Sequence, residues 1–300
     1  MARGDEIAVL DRRYRPLRRT HFTAFVLLVF VGALVYIVAA LYVVTAPEQP
    51  SLGVLCGLLC FGLTIIGLLL PVAIQRVRAR RTGSHAITRN EDANALLRAG
   101  RYEEAARLWD ELCAQSRHQP AIHALFCFNL GMATLHMGNP ARALTFMGAA
   151  QESGWIGSPL LRHAQAQVEL GMALAHAILG DVEVANVHRE RAAAQLALPR
   201  QGMTMLVDAI VTAREQRWDR VRVDGPGWTA AEATLGPVQV RALRVLHAWA
   251  LLETGASEEE LEPWLRSVPA IRPGELDHLA VAWPELARFM ETRGLAAPKA

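Results

Sequence analysis

Two runs of 23 residues pass without a charged side chain: Phe22–Val44 (FTAFVLLVFVGALVYIVAALYVV) and Leu52–Ile74 (LGVLCGLLCFGLTIIGLLLPVAI). An α-helix rises about 1.5 Å per residue, so about 20 apolar residues cross the hydrocarbon core of a bilayer, and each run is long enough. Fifteen residues of the first and fourteen of the second are Leu, Ile, Val or Phe. At roughly −0.3 to −0.6 kcal/mol apiece, with no charge to oppose them, both runs favour insertion. A cleaved signal peptide fits the first run less well, because its apolar core would be about 7–15 residues long and no second span would follow at once. The connector TAPEQPS leaves room only for a tight turn, which predicts a transmembrane helical hairpin.

Arginine sets the orientation. Arg3, Arg12, Arg13, Arg15, Arg18 and Arg19 precede the first span, Arg76, Arg78, Arg80 and Arg81 follow the second, and the connector has none. Positive flanks stay in the cytoplasm. The expectation is a bacterial inner-membrane protein with a basic cytoplasmic N-terminus (1–21), spans at 22–44 and 52–74, a basic linker (75–90) and both termini cytoplasmic. The alternative places the C-terminal domain in the periplasm. Neither span carries Asp, Glu, Lys or Arg, so the hairpin reads as an anchor, with no proton relay or ion path. Gly53 and Gly57 form a GxxxG that would let the hairpin close or a second copy associate. The flanking arginines also suit anionic membrane lipid, at about 1 kcal/mol each near the surface.

The charge is divided along the chain. Residues 1–90 hold 11 basic and 4 acidic side chains, and residues 91–300 hold 20 and 25, a net of +7 followed by −5. A domain that neutralised phosphates would need a basic face, so no nucleic acid is expected as a partner. The only lysine is Lys299, a composition expected of a GC-rich bacterial genome. Cys56, Cys60, Cys113 and Cys127 contain no CxxC and read as reduced, buried thiols.

From residue 91 the chain is Ala- and Leu-rich with helical periodicity and no strand pattern, and one phrase recurs. LLRAGRYEEAARLWDEL (96–112), NLGMATLHMGNPARAL (129–144) and ELGMALAHAILGDVEVA (169–185) share a skeleton of helix, Gly stop, short turn and second helix. The stops are Gly100, Gly138 and Gly180, each followed five residues later by Ala105, Ala143 or Ala185. Glycine closes a helix in the left-handed conformation. Asn139 and Asp181 are placed to cap the second helices, with Pro140 at a first-turn position that lacks nothing by losing its N–H. Gly131 and Gly171 would let the paired helices approach closely. VDAIVTAREQRWDRV (207–221) reads as a worn fourth copy with Trp218 at the Tyr place, or as no copy at all.

Through Gly100, Tyr102, Ala105 and Trp109, and through the Leu-Gly pairs at 130–131 and 170–171, this segment resembles the tetratricopeptide repeat family. The intervals of 38 and 42 residues between stops exceed that family's usual ~34. The resemblance implies an all-α protein: the two-helix transmembrane hairpin, a tetratricopeptide-like α-solenoid over 91–224 and C-terminal capping helices over 225–300. It also implies a concave groove lined by the first helix of each pair. The groove residues would be Asn90, Asn94 and Arg98, then Phe128, Met132 and His136, then Val168, Met172 and His176. Met and aromatic side chains suit an adaptable apolar groove for a protein partner, whereas the simpler reading puts Phe128, Met132 and Met172 in the core. The family's carboxylate clamp is excluded, because its basic places hold Asn90, Gln165 and Glu169.

In the last region, GPVQVRALRVLHAWALLETG (236–255) reads as an amphipathic helix closed by Gly255. Ser257 and Glu260 form a capping box, Pro263 is expected to kink or restart the helix, and Pro273 and Pro284 open the final pieces. The ten histidines come with no HExxH, Cys pair or Ser-His-Asp order, and no cofactor or metal is expected. The layout is similar to envelope-assembly scaffold proteins with membrane-tethered repeats. The expected function is a membrane-tethered adaptor that binds a protein partner and catalyses nothing. The alternative is a regulatory subunit or enzyme of a membrane complex with a site in 225–300.

Overall fold

The computed structural model describes residues 86–156, 158, 161–195, 202–221, 226–266 and 275–296, together with 32, 33 and 37. The basic N-terminus, both predicted spans apart from those three positions, and most of the linker lie outside the described residues. Asn90–Ala300 belongs to one compact unit and Leu17–Arg89 to another, so only the first turn of the first long helix falls in the latter. Among the described residues all regular structure is α-helical, as expected, and no helix is long and apolar enough to cross a membrane.

The helices are α1 (86–98), α2 (Tyr102–Ser116), α3 (Pro120–His136), α4 (Pro140–Glu152), α5 (Arg162–Leu179), α6 (Val182–Gln195) and α7 (Gly202–Arg214). They continue as α8 (Trp218–Val221), α9 (Pro226–Glu232), α10 (Pro237–Glu253), α11 (Glu258–Arg266), α12 (Asp277–Ala280) and α13 (Pro284–Thr292). Hairpins form from α1–α2, α3–α4, α5–α6, α7–α8 and α10–α11, and the first helices lie side by side: α3 packs on α5, α5 on α7 and α7 on α10.

One turn joins every pair. Gly100, Gly138, Gly180 and Gly255 have φ of 76°, 78°, 91° and 82°. The N–H after each donates to the carbonyl five residues back: Arg101 to Leu96 (2.9 Å), Asn139 to Thr134 (3.1 Å), Asp181 to His176 (2.9 Å) and Ala256 to Leu251 (2.9 Å). That closure satisfies carbonyls the helix end would leave bare. The fourth pair has it too, with Gln216 at φ 58° and Arg217 donating to Thr212 at 3.0 Å. A left-handed residue with a Cβ costs about 1–2 kcal/mol, so the missing glycine hid this copy from a glycine-based alignment.

Counted from these turns, position −7 is Ala93, Gly131, Ala173, Ala209 and Ala248, all buried, and position +5 in the first four pairs is Ala105, Ala143, Ala185 and Val221, also buried. A Cβ on Gly131 would lie 2.8 Å from Met147 Cγ and 3.1 Å from the Ala143 carbonyl, so α3 and α4 meet backbone to backbone. Gly171 does something different from what was expected. Its two extra residues before the turn rotate it by about 200° at 100° per residue, and Ala173 takes the close-approach place. A Cβ on Gly171 would meet Phe128 Cε2 at 3.1 Å and Met132 Sδ at 3.2 Å, on the preceding pair. The same shift means that His136 and His176 do not occupy equivalent positions.

Asn139 caps α4 as expected, accepting from the Arg142 N–H at 3.1 Å, with Pro140 in the first turn. Asp181 instead turns its carboxylate to His176 Nδ1 at 3.3 Å. The Ser257 N–H donates to Glu260 Oε2 at 2.8 Å, completing that side of the capping box. Pro263 sits inside α11, which continues to Arg266 without restarting. The final segment crosses the turn side of the pairs. The Arg214 guanidinium donates to the Ala282 carbonyl (3.0 Å) and to that of Ile178, and lies 4.1 Å over the Trp283 ring. Trp283 in turn packs on Trp249 at 5.1 Å.

Candidate functional site

The nine expected groove residues separate into two groups. Phe128 (7 % exposed), Val168 (1 %) and His136 (8 %) are buried, because first helices are gripped both by their own partner and by the next pair. Phe128 and Met132 pack against Gly171, so the core reading holds for Phe128 and in part for Met132. Asn90 is engaged internally: its Oδ1 accepts from Trp109 Nε1 at 2.9 Å and from Asn129 Nδ2 at 3.2 Å, tying α1, α2 and α3 together. Arg98 is exposed, and Asn94, Met132, Met172 and His176 are half-buried. These five are the expected residues that retain surface.

His136 lies under the chain's own final segment. It stacks on Tyr102 (centroids 5.0 Å, 15° between planes) and meets His278 edge-on at 5.1 Å. The three border a cleft of about 520 Å³ that Gly138, Glu104 and Asp277 also line. Burial pushes His136 down to about 3, with His278 adding to it, and burial pushes His278 down to about 4 against the hydrogen bond from its ring to the Glu275 carbonyl. Both rings are therefore neutral when folded, while the unfolded chain takes up protons near pH ~6.5. The stabilisation is complete above that pH and is lost as pH falls toward 3–4, by up to ~1.4 kcal/mol per unit for each ring. Denaturant midpoints should drop from pH 7.5 to pH 5, with a shallower drop for His278→Leu. Equal slopes in the two proteins would contradict the assignment.

A second polar group lies between α5 and α6. Glu169, 2 % exposed, accepts from Gln151 Nε2 (2.8 Å) and pairs with His188 Nδ1 (2.7 Å), and His188 stacks on His176 at 5.5 Å. A buried carboxylate survives only with such partners.

The third group is Cys113, His123 and Cys127, at 0 %, 1 % and 0 % exposure. Cys113 lies in the last turn of α2, three residues before its end at Ser116, and His123 and Cys127 share a face of α3 at i, i+4. The two sulfurs are 3.7 Å apart, Cys127 Sγ is 3.6 Å from His123 Nε2, and the three ligand atoms all lie within 4.8 Å of one another. His123 Nδ1 lies 3.0 Å from the Cys113 carbonyl. A carbonyl only accepts, so Nδ1 carries the proton and Nε2 presents its lone pair to the sulfur. The hydrogen bond from Cys113 brings the Cys127 thiol down to about 6, with His123 helping and burial opposing. The His123–Cys127 spacing was visible in the sequence. Cys113 was not connected to it, because a turn separates them and no CxxC marks the pair.

Comparison with protein-family models, with curated proteins and with solved structures found no match for this chain.

Proposed function

We propose that this chain is a membrane-tethered adaptor whose tetratricopeptide-like repeats bind a protein partner at the cytoplasmic face of a bacterial inner membrane. The observation that carries this reading is the identical left-handed turn at 100, 138, 180, 216 and 255, which repeats one helical hairpin five times. Repeated hairpins of this kind build extended surfaces, because each contacts chiefly its neighbours. Tyr102, Ala105 and Trp109 support the family reading: Ala105 and Trp109 are wholly buried in the first hairpin. The uncharged runs at 22–44 and 52–74, with their arginine flanks, support the anchor. Tethering confines the repeats to the membrane surface and raises their effective concentration against membrane-bound partners.

The binding surface in this reading is carried by Asn94, Arg98, Met172 and His176, which retain exposure on the first helices. Photo-crosslinking and capture with the intact anchored protein should recover a partner that an Arg98→Glu, Met172→Glu variant loses while melting at the same temperature. An unchanged set of partners would remove the groove. Alkaline phosphatase fused to the C-terminus should be inactive, and activity there would overturn the topology.

A further inference from the structure

The buried Cys113–His123–Cys127 cluster stands apart from the proposed binding surface, and its geometry fits a metal better than it fits an apolar core. A zinc-type site holds thiolates at about 2.3 Å and an imidazole nitrogen at about 2.0–2.1 Å. At tetrahedral angles those bonds put sulfur about 3.8 Å from sulfur and about 3.6 Å from nitrogen. Here the two sulfurs are 3.7 Å apart, Cys127 Sγ is 3.6 Å from His123 Nε2, and Cys113 Sγ lies within 4.8 Å of that nitrogen. The outer ring nitrogen of His123 is held by the Cys113 carbonyl, the arrangement by which a ligating histidine is fixed in tautomer and orientation.

We propose that Cys113, His123 and Cys127 supply three ligands to one divalent, zinc-class cation that clasps α2 to α3, a water completing its four-coordinate shell. The ion takes both sulfurs as thiolates, any proton still on either sulfur passing to solvent, and the result is two thiolates, a neutral imidazole and a 2+ ion. The cluster is then neutral overall, which is the condition for burying it. A monovalent ion would leave a net buried negative charge. Soft sulfur ligands with one imidazole select zinc-class ions over magnesium or calcium, which take oxygen. Asp110, one turn before Cys113 on α2, adds negative charge on this side. Because α2 and α3 come from different hairpins, the ion would join the first pair to the second, and metal loading would decide how firmly the N-terminal pair is held.

The test uses full-length protein in detergent micelles, in a Cys56→Ser, Cys60→Ser background so that only two thiols remain. After reduction and chelation, Co²⁺ is titrated in. One equivalent per chain should produce a thiolate-to-cobalt charge-transfer band and the intense d–d bands of a four-coordinate ion, and Zn²⁺ should bleach both. Cys127→Ser should lose the charge-transfer intensity, and hydrogen exchange in α2 and α3 should slow on loading of the parent protein. Absence of the band in the parent would overturn the proposal, as would an equally strong band in Cys127→Ser. Should Cys127→Ser fail to fold, thiol labelling of the parent decides. Protection of both thiols by Zn²⁺ supports the site, whereas full labelling with Zn²⁺ present, or recovery of a Cys113–Cys127 disulfide in place of a metal complex, excludes it.

Discussion

Truncating Glu169 to alanine should destabilise the repeat domain by about 3–5 kcal/mol, the usual cost of removing one partner from a buried pair. The carboxylate is 2 % exposed and receives both Gln151 Nε2 and His188 Nδ1. Its loss leaves the buried His188 and the half-buried Gln151 without this acceptor. The comparison that separates this from a cavity effect is Glu169→Leu combined with His188→Leu. Replacing both ends by apolar groups of similar size is often nearly neutral, so the double variant should recover most of the stability lost by Glu169→Leu alone. Urea denaturation of the four proteins closes the cycle. Purely additive losses would show that the two side chains do not act as a pair.

Trp109→Ala should be comparably severe, at about 3–5 kcal/mol for a fully buried tryptophan. Its ring is 0 % exposed, and its Nε1 donates to Asn90, which also holds Asn129 on the next pair. The damage should be local in space, because stacked repeats are coupled mainly to their neighbours. Hydrogen exchange should accelerate first in α1 and α2, while α5 and α6 keep their protection. Trp109→Phe should cost less, retaining most of the buried area and losing the hydrogen bond. Uniform loss of protection along the whole domain would show that the pairs melt as a single unit.

Much of the architecture was legible because it is local. A helix end closed by a left-handed residue draws its hydrogen bonds from within six residues, so Gly100, Gly138, Gly180 and Gly255 announced their turns directly. Asn139 and Pro140 did the same for the start of α4. The turn at Gln216 was obscured because a non-glycine residue bears the strain there, although Trp218 and Val221 keep the spacing of the other copies. The site was less legible for a different reason. The third copy holds two more residues between its Leu-Gly and its turn than the second does, and a two-residue shift on a helix moves a side chain to nearly the opposite face. Counted from Leu-Gly, His136 and His176 are equivalent; counted from the turn, they are not. In the structure one lies under His278 and the other on His188.

The sequence by itself determined that the described part of 91–224 is helical and built on a repeated helix–turn–helix, where most of its turns fall, and that Gly131 stands at a close approach. Backbone hydrogen bonding and the absence of a Cβ act over a handful of residues. Tertiary structure alone decided which polar and sulfur groups share an environment. Asn90 with Trp109, Glu169 with His188, His136 with His278, and Cys113 with His123 and Cys127 are 10 to 142 residues apart in the chain. The first two meetings depend on how the two helices of one hairpin face each other, and the other two on how a hairpin packs against the next pair or against the final segment; both are set by side-chain packing and written in no single stretch of the sequence.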